Sequence, residues 1–395
     1  MNPRLILALL IVADFLLLLY GASTLSISYK EATIFYDSTD FLHVLTHLST
    51  ALFGQNDIAL RLPFMLFHAG SIVLMYELSR ILLPRPEDQM LSVVTFMLLP
   101  GIVGSALLVN SSAVAIFLTL LFLLLYFHHC RVWYLVLLAC MLPVDNSFMV
   151  LYLGVFTYAV YRRDRMLAIY AATLFLVALG IYGFPMEGKP KGYILDTLIS
   201  YSMIFSPLVF LYFFYTLYRI LMKEEKNILW FISFIALVFS ILISYRQRIR
   251  IDDFAPYVVV SVPLMVRMFM TSYRVRLPEL RRGHKALFVV VFSMLLVNFV
   301  VTYAYKYLYL LTDKPSHHFA YKNNIAKELA AALREMGIDA VSTDPRMQKR
   351  LRFYGIGVSK AMIVGSRPVA DAEEIVTIRY INKPIKSFYV SKVNN

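Results

Sequence analysis

Leu5-Ile6-Leu7-Ala8-Leu9-Leu10-Ile11-Val12-Ala13-Asp14-Phe15-Leu16-Leu17-Leu18-Leu19-Tyr20-Gly21-Ala22 is an apolar run interrupted by one ionisable residue. A helix of that length rises about 27 Å, close to the hydrocarbon core of a bilayer, about 30 Å thick. Comparable runs recur over the first 310 positions, at 62–82, 90–109, 112–127, 133–144, 147–160, 166–183, 202–221, 227–244, 254–272 and 286–308. The expected count is about eleven spans. Composition agrees: 59% hydrophobic and 16% charged residues, with a mean hydropathy of +0.67, exclude a soluble globular domain. The sequence predicts an all-α polytopic membrane protein. Although Arg4 precedes the first run and Gly21-Ala22-Ser23 is small, the run's length and the spans that follow favour a retained helix over a cleaved signal peptide.

Placing Arg4 in the cytoplasm and alternating sets the orientation. Arg80, Arg85, Arg131, the Arg162-Arg163-Asp164-Arg165 cluster, Lys223, Lys226 and the basic stretch from Arg274 to Lys285 then all fall inside. An odd number of spans puts residues 312–395 outside, which in a bacterial inner membrane is the periplasm. The sequence therefore divides into a transmembrane domain, 1–311, and a small extracytoplasmic α/β domain, 312–395. In the latter, 321–334 has apolar positions at helical spacing with Gly337 as the stop, and strand-like stretches follow at 340–343, 361–364, 374–380 and 388–390.

The net charge of +13 is a topology and headgroup signal, not a nucleic-acid one. Cys130 and Cys140 give neither a disulfide framework nor a thiolate metal site. The chain has no P-loop, GxGxxG element or HExxH pair. It also lacks the internal repeat of an inverted-repeat transporter.

Beyond the first span, Ser26-Ile27-Ser28-Tyr29-Lys30-Glu31-Ala32 sets an acidic residue in the first outer loop. Gly54-Gln55-Asn56-Asp57-Ile58-Ala59-Leu60-Arg61-Leu62-Pro63 then opens the next helix, which Tyr76-Glu77-Leu78-Ser79-Arg80 closes. In these residues the chain resembles the GT-C superfamily of polytopic membrane glycosyltransferases, which includes protein O-mannosyltransferases and the lipid A aminoarabinose transferase. Members read Asp-Glu-Ala after the first span, then Gly-x-x-Asp-x-Ala-x-Arg-Leu-Pro. Gly54, Asp57, Ala59, Arg61, Leu62 and Pro63 keep the second pattern, whereas Lys30 replaces the aspartate of the first. Asn110 stands where relatives commonly present another outer aspartate.

The resemblance implies inverting transfer of a sugar from a polyprenyl-phosphate carrier to an acceptor glycan, lipid or protein at the outer membrane surface. Such attack on an anomeric carbon needs a carboxylate to take the nucleophile's proton. The departing phosphate needs positive charge or a divalent metal ion. Glu31 matches the second acidic position and is the candidate catalytic carboxylate, with a solvated loop glutamate as the alternative. Lys30, Arg61 and Asn110 are substrate-binding candidates, Asn110 also being suited to cap the following helix. Asp37, Asp40 and Asp145 read first as caps.

The basic candidates are Arg246, Arg248 and Arg250, in Tyr245-Arg246-Gln247-Arg248-Ile249-Arg250-Ile251-Asp252-Asp253, with Tyr257 beyond them. Three outer arginines oppose the positive-inside trend and suit bidentate contact with phosphate. Single-residue spacing aligns them on one side of an extended segment. Pairing with Asp252 and Asp253, or snorkelling, is the alternative. Lys189 and Lys191 sit in a polar loop. His43 and His47 lack a third metal ligand, and Tyr303 to Tyr309 describe an interface belt.

Two functions follow. One is an active transferase using a lipid-linked sugar. The other is a catalytically degenerate relative serving as a lipid-binding or partner subunit in envelope glycan assembly, for which Lys30 and Asn110 speak.

Overall fold

The computed structural model describes residues 3–183, 192–312, 318–366, 374–381 and 383–392. Lys189 and Lys191 lie outside them. The chain forms two compact units, one of residues 1–16 and 64–299 and one of residues 17–63 and 300–395. Residues 300–395 therefore share their unit with residues 17–63.

Among the described residues, six helices are long and apolar enough to cross a membrane: Pro3–Thr24, Asp57–Leu82, Arg165–Tyr182, Ile228–Arg246, Ala255–Val275 and Pro278–Tyr303. Two bent pairs raise this to eight if each is one span, Pro86–Leu98 with Pro100–Leu107 (57°) and Ile194–Phe205 with Pro207–Lys223 (106°). Proline begins the second helix of each pair, where its missing N–H costs nothing and its ring stops the preceding helix from continuing. The rest of the expected eleven spans fall on the shorter helices Ser111–Phe127, Arg131–Met141 and Phe148–Arg162. Their apolar sequences qualify them for burial as readily as for crossing, because length, not composition, separates the two.

In the first unit, helices Phe148–Arg162 and Ile228–Arg246 approach closely at Gly154, where a Cβ would lie 2.9 Å from the Ile232 Cα. Among the buried groups, His68 Nε2 meets Asp14 Oδ2 at 2.8 Å near the middle of two spans. Pairing relieves the cost of placing ionisable groups at that depth.

The second unit is organised around the C-terminal end of helix Pro3–Thr24. Six consecutive carbonyls there accept side-chain hydrogen bonds. Ala22, Leu25 and Ser26 take theirs from Arg61, Ser23 from Lys327, Thr24 from Tyr305 and Ile27 from Arg350. The last carbonyls of a helix lack intrahelical partners, and cations suit the negative end of its dipole. The tail adds helices Ala326–Glu335 and Pro345–Phe353 and an antiparallel sheet of β1 (Met362–Gly365), β2 (Glu374–Tyr380) and β3 (Lys383–Lys392), ordered β1-β3-β2. Helix Ala326–Glu335 overlaps the stretch 321–334 expected to be helical, β2 coincides with the strand expected at 374–380, and Gly337 adopts the positive φ of a helix stop. Helix Pro345–Phe353 was not anticipated. Its signal is Asp344-Pro345, an N-cap carboxylate that accepts from Arg346 N–H, followed by proline at the first helical position.

Candidate functional sites

Glu31 stands in the first turn of helix Tyr29–Asp37, not in an open loop, and forms a capping box with Ser28. Ser28 N–H donates to Glu31 Oε2 at 2.7 Å, and Glu31 N–H donates to Ser28 Oγ at 3.2 Å. Arg61 reaches the same carboxylate twice, through Nε to Oε1 and Nη2 to Oε2, both at 3.2 Å. Its three remaining contacts go to the carbonyls of Ala22, Leu25 and Ser26 at 3.0, 2.9 and 3.2 Å. Five contacts match the five N–H groups of a guanidinium. Arg61 is 0% and Glu31 2% exposed, so the structure brings these two candidates together as a buried, fully bonded pair. Lys30, one residue away, is exposed on the helix surface.

Arg350 grips the same segment, donating to Ile27 O at 2.7 Å, Ser26 Oγ at 3.2 Å and Asn324 O at 2.5 Å. Burial lowers its pKa. Tyr354 accepts from Ile27 N–H at 2.8 Å and donates to Asp57 Oδ1 at 2.6 Å. Asp57, assigned no role from sequence, has its other oxygen 2.8 Å from Lys327 Nζ.

The remaining candidates belong to the first unit. Arg246 ends helix Ile228–Arg246 and does not line the adjacent cavity, whereas Arg248 and Arg250, beyond the helix end, do. Gln247 and Ile249 line the same wall, and Arg246 lies in the helix instead of the segment that follows it. The cavity encloses about 300 Å³, and Ser147, Gln247 and Asp253 share its wall. Arg250 Nη2 lies 3.0 Å from Asp253 Oδ1.

Burial pushes the Asp253 carboxyl up to about 6; Arg250 opposes the shift, and the nearby Asp145 adds to it. The sequence offered Asp253 only as a counter-ion. Its i,i+3 spacing from Arg250 is a weak signal, and the burial that sets its acidity is not visible in sequence.

Tyr257 is fully buried behind that wall, its hydroxyl 3.0 Å from Ser147 Oγ. Asn110 caps helix Ser111–Phe127, accepting from Ser112 N–H at 3.0 Å, and Ser112 Oγ donates to Asp252 O at 3.2 Å. The capping alternative thus describes Asn110's position. His43 and His47 bond to the carbonyls of Ile34 and Phe35. Among the described residues no group of three or more His, Cys, Asp or Glu is placed to hold a metal ion.

Two guanidinium groups and a carboxyl of raised pKa in one concavity can hold a phosphate and exchange a proton. No known family profile matches the chain, and no curated protein matches it either. Among solved structures, its fold is similar to the crystal structure of ArnT from Cupriavidus metallidurans in the apo state. The two share 12% sequence identity over 97% of each chain, at a TM-score of 0.57.

Proposed function

We propose that this chain, with its ArnT-like fold, is a bacterial inner-membrane glycosyltransferase that takes a sugar from a polyprenyl-phosphate-linked donor at the outer face. The observation that carries the reading is the cavity joining Arg248, Arg250 and Asp253. The arginines hold the donor phosphate. Asp253, with a pKa of about 6, is ionised at neutral pH and takes the proton of the attacking acceptor hydroxyl or amide. As the acceptor bonds to the anomeric carbon, the carbon–oxygen bond to phosphate breaks and the lipid phosphate departs. Arg61 and Glu31 fix the first outer segment. Their mutual bonding supports a positioning role in preference to direct proton uptake by Glu31.

The test is transfer by purified protein with a lipid-linked sugar donor. Asp253→Asn is expected to lower kcat by about 10²–10⁴-fold, the range for loss of a general base. Arg248→Ala with Arg250→Ala is expected to raise the donor KM. Wild-type transfer rates in both variants would refute the assignment.

The second reading, a degenerate lipid-binding or partner subunit, is favoured by Lys30 at an acidic position and by the use of Asn110 as a helix cap. It predicts donor binding that depends on Arg248 and Arg250 with no turnover by the wild-type chain.

A further inference from the structure

A cavity of about 1000 Å³ lies within the unit of residues 17–63 and 300–395. Its wall includes three cations, Lys327, Arg334 and Arg352, and one carboxylate, Asp57. Asp57 is already bonded through both oxygens, to Tyr354 and to Lys327, and Lys327 also donates to Ser23 O at 2.8 Å. The arginines are not neutralised in this way. Among the described residues neither is ion-paired; Arg334 donates to the Tyr354 carbonyl, and the Arg352 guanidinium carbon lies 4.4 Å from the Tyr36 ring centroid.

A guanidinium held against an aromatic face loses little further freedom on binding, and its fork matches phosphate oxygens. Gly355 keeps the second fork unobstructed. It adopts φ +82°, and a Cβ there would lie 3.1 Å from Arg334 Nη2. The volume far exceeds that of a bare phosphate, and Phe53 supplies a ring face of the kind that packs on sugars.

We propose that this cavity binds a phosphorylated sugar headgroup, with Arg334 and Arg352 on the phosphate. None of these residues belongs to the Arg248–Asp253 segment, so the site stands or falls independently of the transferase reading.

The full chain in neutral detergent is titrated with glucose 1-phosphate and, in parallel, with glucose. A second arm uses phosphatidylcholine nanodiscs with and without phosphatidylinositol 4-phosphate. The arms separate a free sugar phosphate from a lipid headgroup, and phosphate-dependent saturation in either supports the site. Arg352→Ala is expected to weaken that binding by about tenfold. Arg352→Lys should fall in between. Arg346→Ala, whose guanidinium lies over Tyr29 instead, should bind as wild type.

The Arg352 side chain makes no hydrogen bond among the described residues, so its truncation leaves the fold intact, which an unchanged thermal midpoint verifies. Phosphate-dependent binding absent from both arms, undiminished in Arg352→Ala, or equalled by plain glucose overturns the proposal.

Discussion

Replacing Glu31 with Gln tests whether this carboxylate is structural. The amide can still accept from Ser28 N–H through its one oxygen. Its NH₂ group, however, must face a guanidinium nitrogen that now donates to Glu31 across 3.2 Å. One charge-assisted bond becomes a donor–donor contact, and Arg61, at 0% exposure, keeps its charge without a bonded anion.

Breaking a buried pair from one side costs about 3–5 kcal/mol. At about 2–4 °C per kcal/mol, the thermal midpoint of the purified protein should fall by on the order of 10 °C. Adding Arg61→Met removes the stranded charge, so the double variant should be more stable than additivity predicts, by about 2 kcal/mol. It should not reach wild type, because the carbonyls of Ala22, Leu25 and Ser26 then lose their donor. The assay pairs thermal unfolding with glycan transfer well below the midpoint. A Glu31→Gln protein with a wild-type midpoint and abolished transfer would refute this reasoning and restore Glu31 as the proton acceptor.

Three further outcomes are expected. Asp253 has a pKa of about 6 in the folded chain against an ordinary 3.8, so the folded state holds a proton that the unfolded state releases. Its contribution to stability therefore declines as pH rises from about 4 to about 6, while transfer rises as the carboxylate forms; Asp253→Asn should flatten both profiles. Gly154→Val drives side-chain atoms into the Ile232 backbone and should cost about 1–3 kcal/mol, read as a lower thermal midpoint. Tyr354→Phe removes the hydroxyl that accepts from Ile27 N–H and donates to Asp57, and should cost about 1–3 kcal/mol by the same measurement, with Lys327 still holding Asp57.

The membrane class and most long helices were legible because apolar length is a local property, written continuously in residues such as 5–22. Helix Ala326–Glu335 and β2 were legible for the same reason, their periodicities being local. The pairing of Glu31 with Arg61 was not, although both residues had been singled out. Thirty residues separate them, and nothing local says that Glu31 turns inward to cap its own helix. Arg350 and Tyr354 went unnoticed because their importance rests on the carbonyl and amide of Ile27, backbone groups that carry no sequence signal. Asp253 shows the same limit in its acidity, which burial sets.

The six carbonyls from Ala22 to Ile27 also have a history in time. A ribosome delivers them early, but their partners arrive in instalments: Arg61 soon after, then Tyr305, Lys327 and finally Arg350. The C-terminal end of helix Pro3–Thr24 therefore emerges with acceptors whose last partner, Arg350, is made 323 residues after Ile27. A chain that stops before Arg350 leaves Ile27 O without its donor at a site far upstream of the break. Synthesis as far as Arg350 is thus registered at Ile27, where a chain broken before Arg350 differs from one that contains it.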